Sequence, residues 1–201
     1  MSRGAQLAFS LALVASCAGA DPAEAHPHVW IDYAVTVLFD DNDVKGIRMS
    51  WTFDEMYSSM LFHDYTSRPK GPLSPNDVHS LEEGAFKDTA DFHYFVDVKL
   101  NGKTVPIKDV TDFDARFEHR RMTYSFTVPL HTDAPAATNT LEIQAFDHEF
   151  YIDFEPTKTA PVTVDHGEKL AATCSPKHNR SISTTFGPLD TIELACTYKM
   201  S

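Results

Sequence analysis

From Val29 to Phe39 every second residue is large and apolar: Val29, Ile31, Tyr33, Val35, Val37 and Phe39. A chain with that period presents one continuous apolar face only when it is extended, so this stretch is a strand with one buried side. Met122, Tyr124, Phe126 and Val128 repeat the pattern against Thr123, Ser125 and Thr127. Two such strands far apart in the chain need a shared core. They restrict the fold to sheets packed face to face or closed on themselves.

The turn residues place the other strands. Asp40-Asp41-Asn42-Asp43 ends the first strand, because Asp and Asn hydrogen-bond their own backbone in turns. A second strand follows, with Met49, Trp51 and Phe53 on one face. The spacing predicts strands over Phe92 to Leu100 and Lys103 to Val110, joined by Asn101-Gly102, a strong two-residue hairpin signal. Further strands are expected at Phe113 to His119, Met122 to Leu130, Thr140 to Phe146, Phe150 to Phe154, Val162 to Val164, Ser181 to Phe186 and Thr191 to Tyr198.

One region breaks this rhythm. Thr52 and Asp54 offer helix caps, and Met56, Tyr57, Met60, Leu61 and Tyr65 recur at helical spacing. A Pro- and Gly-rich loop, Ser67 to Pro75, leads to a second helix with Ser74 as N-cap and Pro75 in its first turn. Its buried stripe would be Val78, Leu81, Ala85 and Phe86. The expected fold is therefore mainly β, an antiparallel β-sandwich, with a helical hairpin inserted at about residues 54–90. Residues 26–201 form a single domain in this reading, after a leader at 1–25.

The leader has secretory character. Arg3 is followed by an apolar run, Leu7 to Val14, and then by small residues. Cleavage after Ala20 or Ala25 fits, while Val14-Ala15-Ser16-Cys17 resembles a lipoprotein processing box that would lipidate Cys17. A periplasmic location follows. Of three cysteines, Cys174 and Cys196 would remain as an even pair in an oxidising compartment and form a structural disulfide across the C-terminal hairpin. With 17 basic and 29 acidic residues the net charge is −12, which excludes a phosphate-tracking nucleic-acid binder and suits a surface that meets cations.

The densest ligand-bearing stretch is His26-Pro27-His28-Val29-Trp30-Ile31-Asp32. On an extended chain His26, His28, Trp30 and Asp32 share one side, and two imidazoles two residues apart can close on one cation. The alternative is a pair of solvated polar residues at a frayed terminus. Asp147-His148-Glu149, with Asp153 and Glu155 beyond, forms a second cluster at a turn between strands. If that turn lies beside the mature N-terminus, His26, His28 and Asp147 make a nitrogen/nitrogen/oxygen set suited to zinc or a similar divalent ion. Otherwise Asp147 satisfies the backbone of its own turn. The other histidines show no tight ligand spacing, and Glu82 and Glu83 are sequence neighbours that do not share a helix face.

Nucleophile-elbow, H-E-x-x-H and phosphate-loop motifs are absent from the sequence, so a non-enzymatic role is expected. One redox option survives: a newly formed N-terminal His26 could chelate copper through its amine and imidazole.

The stretch His26 to Asp32, with Trp51-Thr52-Phe53-Asp54-Glu55, resembles a bacterial family of exported proteins of unknown function. That family is described as the periplasmic component of an uncharacterised ABC-type transport system. Asn101-Gly102-Lys103, Phe126 to Leu130 and Phe146-Asp147 extend the resemblance over the mature chain. Members often occur with, or are fused to, nickel/cobalt-type efflux permeases, which implies transition-metal handling beside a membrane transporter. Many members carry a D-x-D-x-D-G loop before the second helix. Here His63 to Pro75 keeps only Asp64 as a carboxylate and adds Arg68 and Lys70, so calcium is not expected there. Family members often have Pro where this chain has His148. The resemblance implies export and metal traffic; with the donor chemistry above, the expected function is a periplasmic accessory protein of a zinc/nickel/cobalt-type transport system, with His26, His28 and Asp147 as ligands and zinc or nickel as the ion. The alternative is an interaction module that docks a permease through Met56, Met60 and Phe62 without a metal.

Overall fold

The computed structural model describes residues 28–40, 44–67, 71–131, 138–165, 171–184 and 187–199. The leader, His26 and most of the Asp40 to Asp43 turn lie outside these residues.

The first long strand, β1 (Val29–Phe39), buries its odd-numbered side chains from Val29 to Val37 as the alternation requires, with Phe39 half-buried at its end. It pairs antiparallel with β2 (Val44–Phe53), Tyr33 opposite Trp51. The later strands are β3 (Val96–Leu100), β4 (Lys103–Thr104), β5 (Thr111–Glu118), β6 (Arg121–Pro129), β7 (Thr138–Ala145), β8 (Ile152–Pro156), β9 (Val162–Asp165), β10 (Ala171–Thr184) and β11 (Gly187–Lys199). One sheet runs β5-β6-β2-β1-β8, with β9 also on β1; the other runs β10-β11-β7-β3-β4.

Their inner faces meet in one core. Val29, Ile31, Met49, Trp51, Met122 and Phe126 come from the first sheet; Val98, Leu141, Ile143, Leu194 and Tyr198 come from the second. The Tyr33 hydroxyl donates to the Ile192 carbonyl at 2.9 Å, pinning β1 of one sheet to β11 of the other. The fold is the mainly β sandwich that the periodicity predicts.

The strand directions are not all as expected. β8 and β9 pair with β1 in parallel, so the first sheet is mixed rather than purely antiparallel. Alternation reports which face is buried and carries no information about a partner's direction. Two boundaries also move. The strand expected from Phe92 begins at Val96, because residues 87–95 continue the helical insert as a 3₁₀ segment. The strand expected from Lys103 to Val110 shrinks to two residues; Pro106, just beyond it, has no N–H to give a ladder. In the opposite direction, β10 starts ten residues before Ser181 and carries Pro176 within it. The hairpin turn is as read: Asn101 and Gly102 take φ of +51° and +76°.

The insert comprises α1 (Glu55–Tyr65), α2 (Pro75–Leu81), a π turn over Glu82–Phe86 and the 3₁₀ segment Lys87–Phe95. Asp54 caps α1, accepting from the N–H groups of Met56 and Tyr57 at 2.8 and 2.9 Å. Its other oxygen accepts from the Trp30 N–H at 3.1 Å, so one carboxylate joins the helix start to β1. Ser58, fully buried, takes the Met122 N–H at 2.8 Å and ties α1 to β6. Ser74 caps α2 through a capping box with Asp77. Asp77 also accepts from the Ser67 N–H and hydroxyl. The Ser67 and Ser74 backbone N–H groups, then the Ser74 hydroxyl, hold its carboxyl well below the usual range.

Gly84 lies against the Tyr65 ring, whose hydroxyl donates to the Gly84 carbonyl at 2.7 Å; a Cβ there would overlap the ring. A disulfide joins Cys174 and Cys196 directly across β10 and β11. Closing a loop of that separation, 22 residues, contributes roughly 3 kcal/mol in the chain-entropy account. Among the described residues no helix is long and apolar enough to cross a membrane.

Candidate functional site at the start of the first strand

The parallel pairing of β1 with β8 fixes what surrounds the His28 stretch. Register places Trp30 beside Asp153 and Asp32 beside Glu155. His28 and Trp30 are exposed and Asp32 is half-buried, while Val29, Ile31 and Tyr33 face the core, the division that period two predicts. His26 lies outside the described residues. It precedes His28 with only Pro27 between them.

His28 is anchored to the turn that precedes β8. Its N–H donates to the Tyr151 carbonyl at 2.8 Å, and its ring lies 4.8 Å from the Tyr151 ring at an interplanar angle of 37°. Tyr151 is in turn held by Asp147, whose Oδ2 accepts from the N–H groups of Tyr151 and Ile152, each at 3.0 Å. Its Oδ1 accepts from the Glu149 N–H at 2.9 Å. The structure therefore brings His28 and Asp147 to one place through Tyr151. Asp147 is buried, and both of its oxygens are engaged with backbone. That geometry gives Asp147 an organising part: it fixes the turn that fixes His28.

Asp153 is the carboxylate that the sequence reading undervalued. It sits half-buried beside Trp30, and burial, then the nearby Glu155 charge, raises its pKa. Two carboxylates left close together are relieved by a cation. The opposing charge nearby is Arg121, which pairs with Asp32 at 2.8 Å and is clamped by the carbonyls of Phe53 and Thr52 at 2.6 and 2.9 Å. Arg121 thus takes Asp32 into the fold. Asp153 could not be singled out earlier, because its place beside Trp30 comes from a parallel pairing.

A second group was also missed. His79, Glu82 and Glu83 bring one ligand atom each to within 4.8 Å of one another, across the junction of α2 and the π turn. The signal was present as H-x-x-E-E, since residues three and four apart do share a helix face. Glu83 is already paired with Lys87. His63, by contrast, is exposed and pairs with its neighbour Asp64.

Residues 11–187 match the family described as Protein of unknown function (DUF1007). The chain belongs to that family. It is also 27% identical over 130 residues to an uncharacterized protein of Haemophilus influenzae, covering 64% of this chain and 61% of that protein. An uncharacterized 15.5 kDa protein in the trpE 3' region of Spirochaeta aurantia is 27% identical over 101 residues, covering 50% of this chain and 71% of its own length. The chain thus spans less than two thirds of the Haemophilus relative.

Proposed function

We propose that this protein is an exported, non-enzymatic accessory protein that binds a transition-metal ion, zinc or nickel, for a membrane permease. The supporting observation is the anchoring of His28. A strand start carrying an imidazole is tied to a turn held by Asp147 and lies beside the carboxylates of β8. His26 and His28 supply the nitrogen donors, Asp153 an oxygen donor, and Asp147 the rigidity that keeps the strand start in place. Imidazole with carboxylate suits zinc and nickel better than calcium, which prefers oxygen cages. The disulfide and the acidic balance fit an oxidising, exported setting.

Metal bound to the folded state alone stabilises it by mass action, by about 2.7 kcal/mol at one hundred times Kd, or roughly 5–10 °C for a domain of this size. Zinc or nickel at that level is expected to raise the melting temperature of the processed protein by this amount. The rise should vanish in His26→Ala/His28→Ala. An equal rise in that variant sinks the assignment.

A second reading rests on exposed apolar side chains. Met56 and Met60 are 70% and 44% exposed, while Phe62, expected beside them, packs against Phe117 at 4.3 Å. Such residues suit a surface that docks a permease without metal. Permease binding that is indifferent to chelators and to the histidine variant would favour it.

A further inference from the structure

The first sheet ends at β5, which pairs only with β6 among the described strands. Beside it lies a groove of about 530 Å³, lined by residues 114–118 of β5 and by Pro72, Leu73, Pro75 and Val78 from α2 and the loop before it. We infer that this groove takes an extended segment of a partner protein. The segment adds to β5 as a further strand and alternates apolar residues with charges in the order basic, acidic, basic.

Three observations carry the inference. The first is the free backbone of β5. It joins β6 through a two-residue turn, His119-Arg120, with φ of +50° and +65°. Such a turn is closed by a hydrogen-bonded pair, here Glu118 with Arg121, so Arg116 and Asp114 also bond across to Thr123 and Ser125. Ala115 and Phe117 then turn their N–H and C=O away from β6. Met122, opposite Phe117, shows the same alternation: its N–H points away from β5 and donates to Ser58 Oγ at 2.8 Å. Among the described residues no backbone group hydrogen-bonds the outward side of Ala115 or Phe117. An extended chain supplies donors and acceptors at the matching repeat.

The second is the apolar wall. On one face of β5 Ala115 is buried and the Phe117 ring meets Phe62 of α1 at 4.3 Å. Across the groove Pro72 and Pro75 are exposed, and Leu73 and Val78 are half-buried. A strand laid along β5 sets every second side chain against that wall. The capping box of Ser74 and Asp77 holds the wall, so little has to order before binding. The third is charge. The other face of β5 exposes Asp114, Arg116 and Glu118, and none of them is in an ion pair among the described residues. Cross-strand neighbours on one face attract when their charges are opposite and repel when they are alike. The series acidic, basic, acidic therefore selects basic, acidic, basic on the incoming strand, whichever way that strand runs. The same charges, with the register shift between Thr111 and Asp114, disfavour edge-to-edge pairing of two copies.

This surface does not depend on the metal reading, and the two fail separately. The test is an amide NMR titration of the exported protein with two synthetic peptides of equal composition and charge, Val-Lys-Val-Glu-Val-Lys-Val and Val-Glu-Val-Lys-Val-Lys-Val. The first should shift the Ala115 and Phe117 amides and bind about fivefold tighter than the second, or more. Asp114→Lys/Arg116→Glu/Glu118→Lys changes only exposed side chains. It should reverse the preference, so that Val-Glu-Val-Lys-Val-Glu-Val binds tighter than Val-Lys-Val-Glu-Val-Lys-Val. Should that variant unfold, Arg116→Glu alone should erase the difference between the first two peptides. Equal binding of those two by the parent protein, shifts that avoid β5, or a preference that ignores the charge changes overturns the inference. Loss of the Ala115 and Phe117 signals on concentrating the protein alone assigns the edge to a second copy and overturns it equally.

Discussion

A Trp51→Ala variant is expected to lose about 3–5 kcal/mol of unfolding free energy, the range for removing a fully buried indole. Trp51 is 2% exposed and sits where three parts of the fold converge. Its ring meets Phe126 at 4.8 Å and Phe154 at 5.3 Å, and reaches Phe86 and Phe95 of the helical insert at 6.2 and 6.5 Å. Removing it opens a cavity that joins the sheet, β8 and the insert, and aromatic neighbours cannot collapse to fill it. The indole Nε1 has no hydrogen-bond partner among the described residues, so Trp51→Phe should cost less than half as much. Chemical denaturation of both variants checks this. Equal losses would mean that the indole N–H, rather than ring volume, dominates.

Asp147→Ala should cost roughly 2–4 kcal/mol, because three backbone N–H groups lose a charged acceptor at once. Asn is no rescue. Oδ1 accepts from Glu149 and Oδ2 from Tyr151 and Ile152, so an amide must aim its NH₂ at one or two N–H donors whichever way it turns. Both variants should also weaken metal binding at least tenfold, through release of Tyr151 and hence of His28. Thermal unfolding in EDTA, run beside zinc titration, separates the two parts Asp147 could play. An organiser loses stability and affinity together; a simple ligand loses affinity while apo stability stays unchanged.

What the sequence made legible is what local chemistry decides. The alternation from Val29 to Phe39 named the buried face of β1, and Asp54 and Ser74 were readable as caps because a cap acts within four residues. Asn101-Gly102 fixed its hairpin for the same reason. What stayed hidden was set by distant contacts. Nothing local marks β8 as a parallel partner of β1, so Asp153 gave no sign of lying beside Trp30. Phe92 to Phe95 has strand-like aromatic content, yet Tyr94 and Phe95 pack onto the core from a left-handed turn. The same limit applied to Asp147. Its residue type allowed either a ligand or a turn organiser, and the three N–H groups aimed at it, which give it the organiser's contacts, come from a turn whose closure the sequence does not show.

The most direct test of the central claim is calorimetric titration of zinc and nickel into exported protein whose N-terminus has been verified by mass spectrometry. The account predicts micromolar or tighter binding that disappears in His26→Ala/His28→Ala and weakens in Asp153→Asn. Binding by that double variant at parental affinity and stoichiometry, or no heat from correctly processed protein, would contradict it.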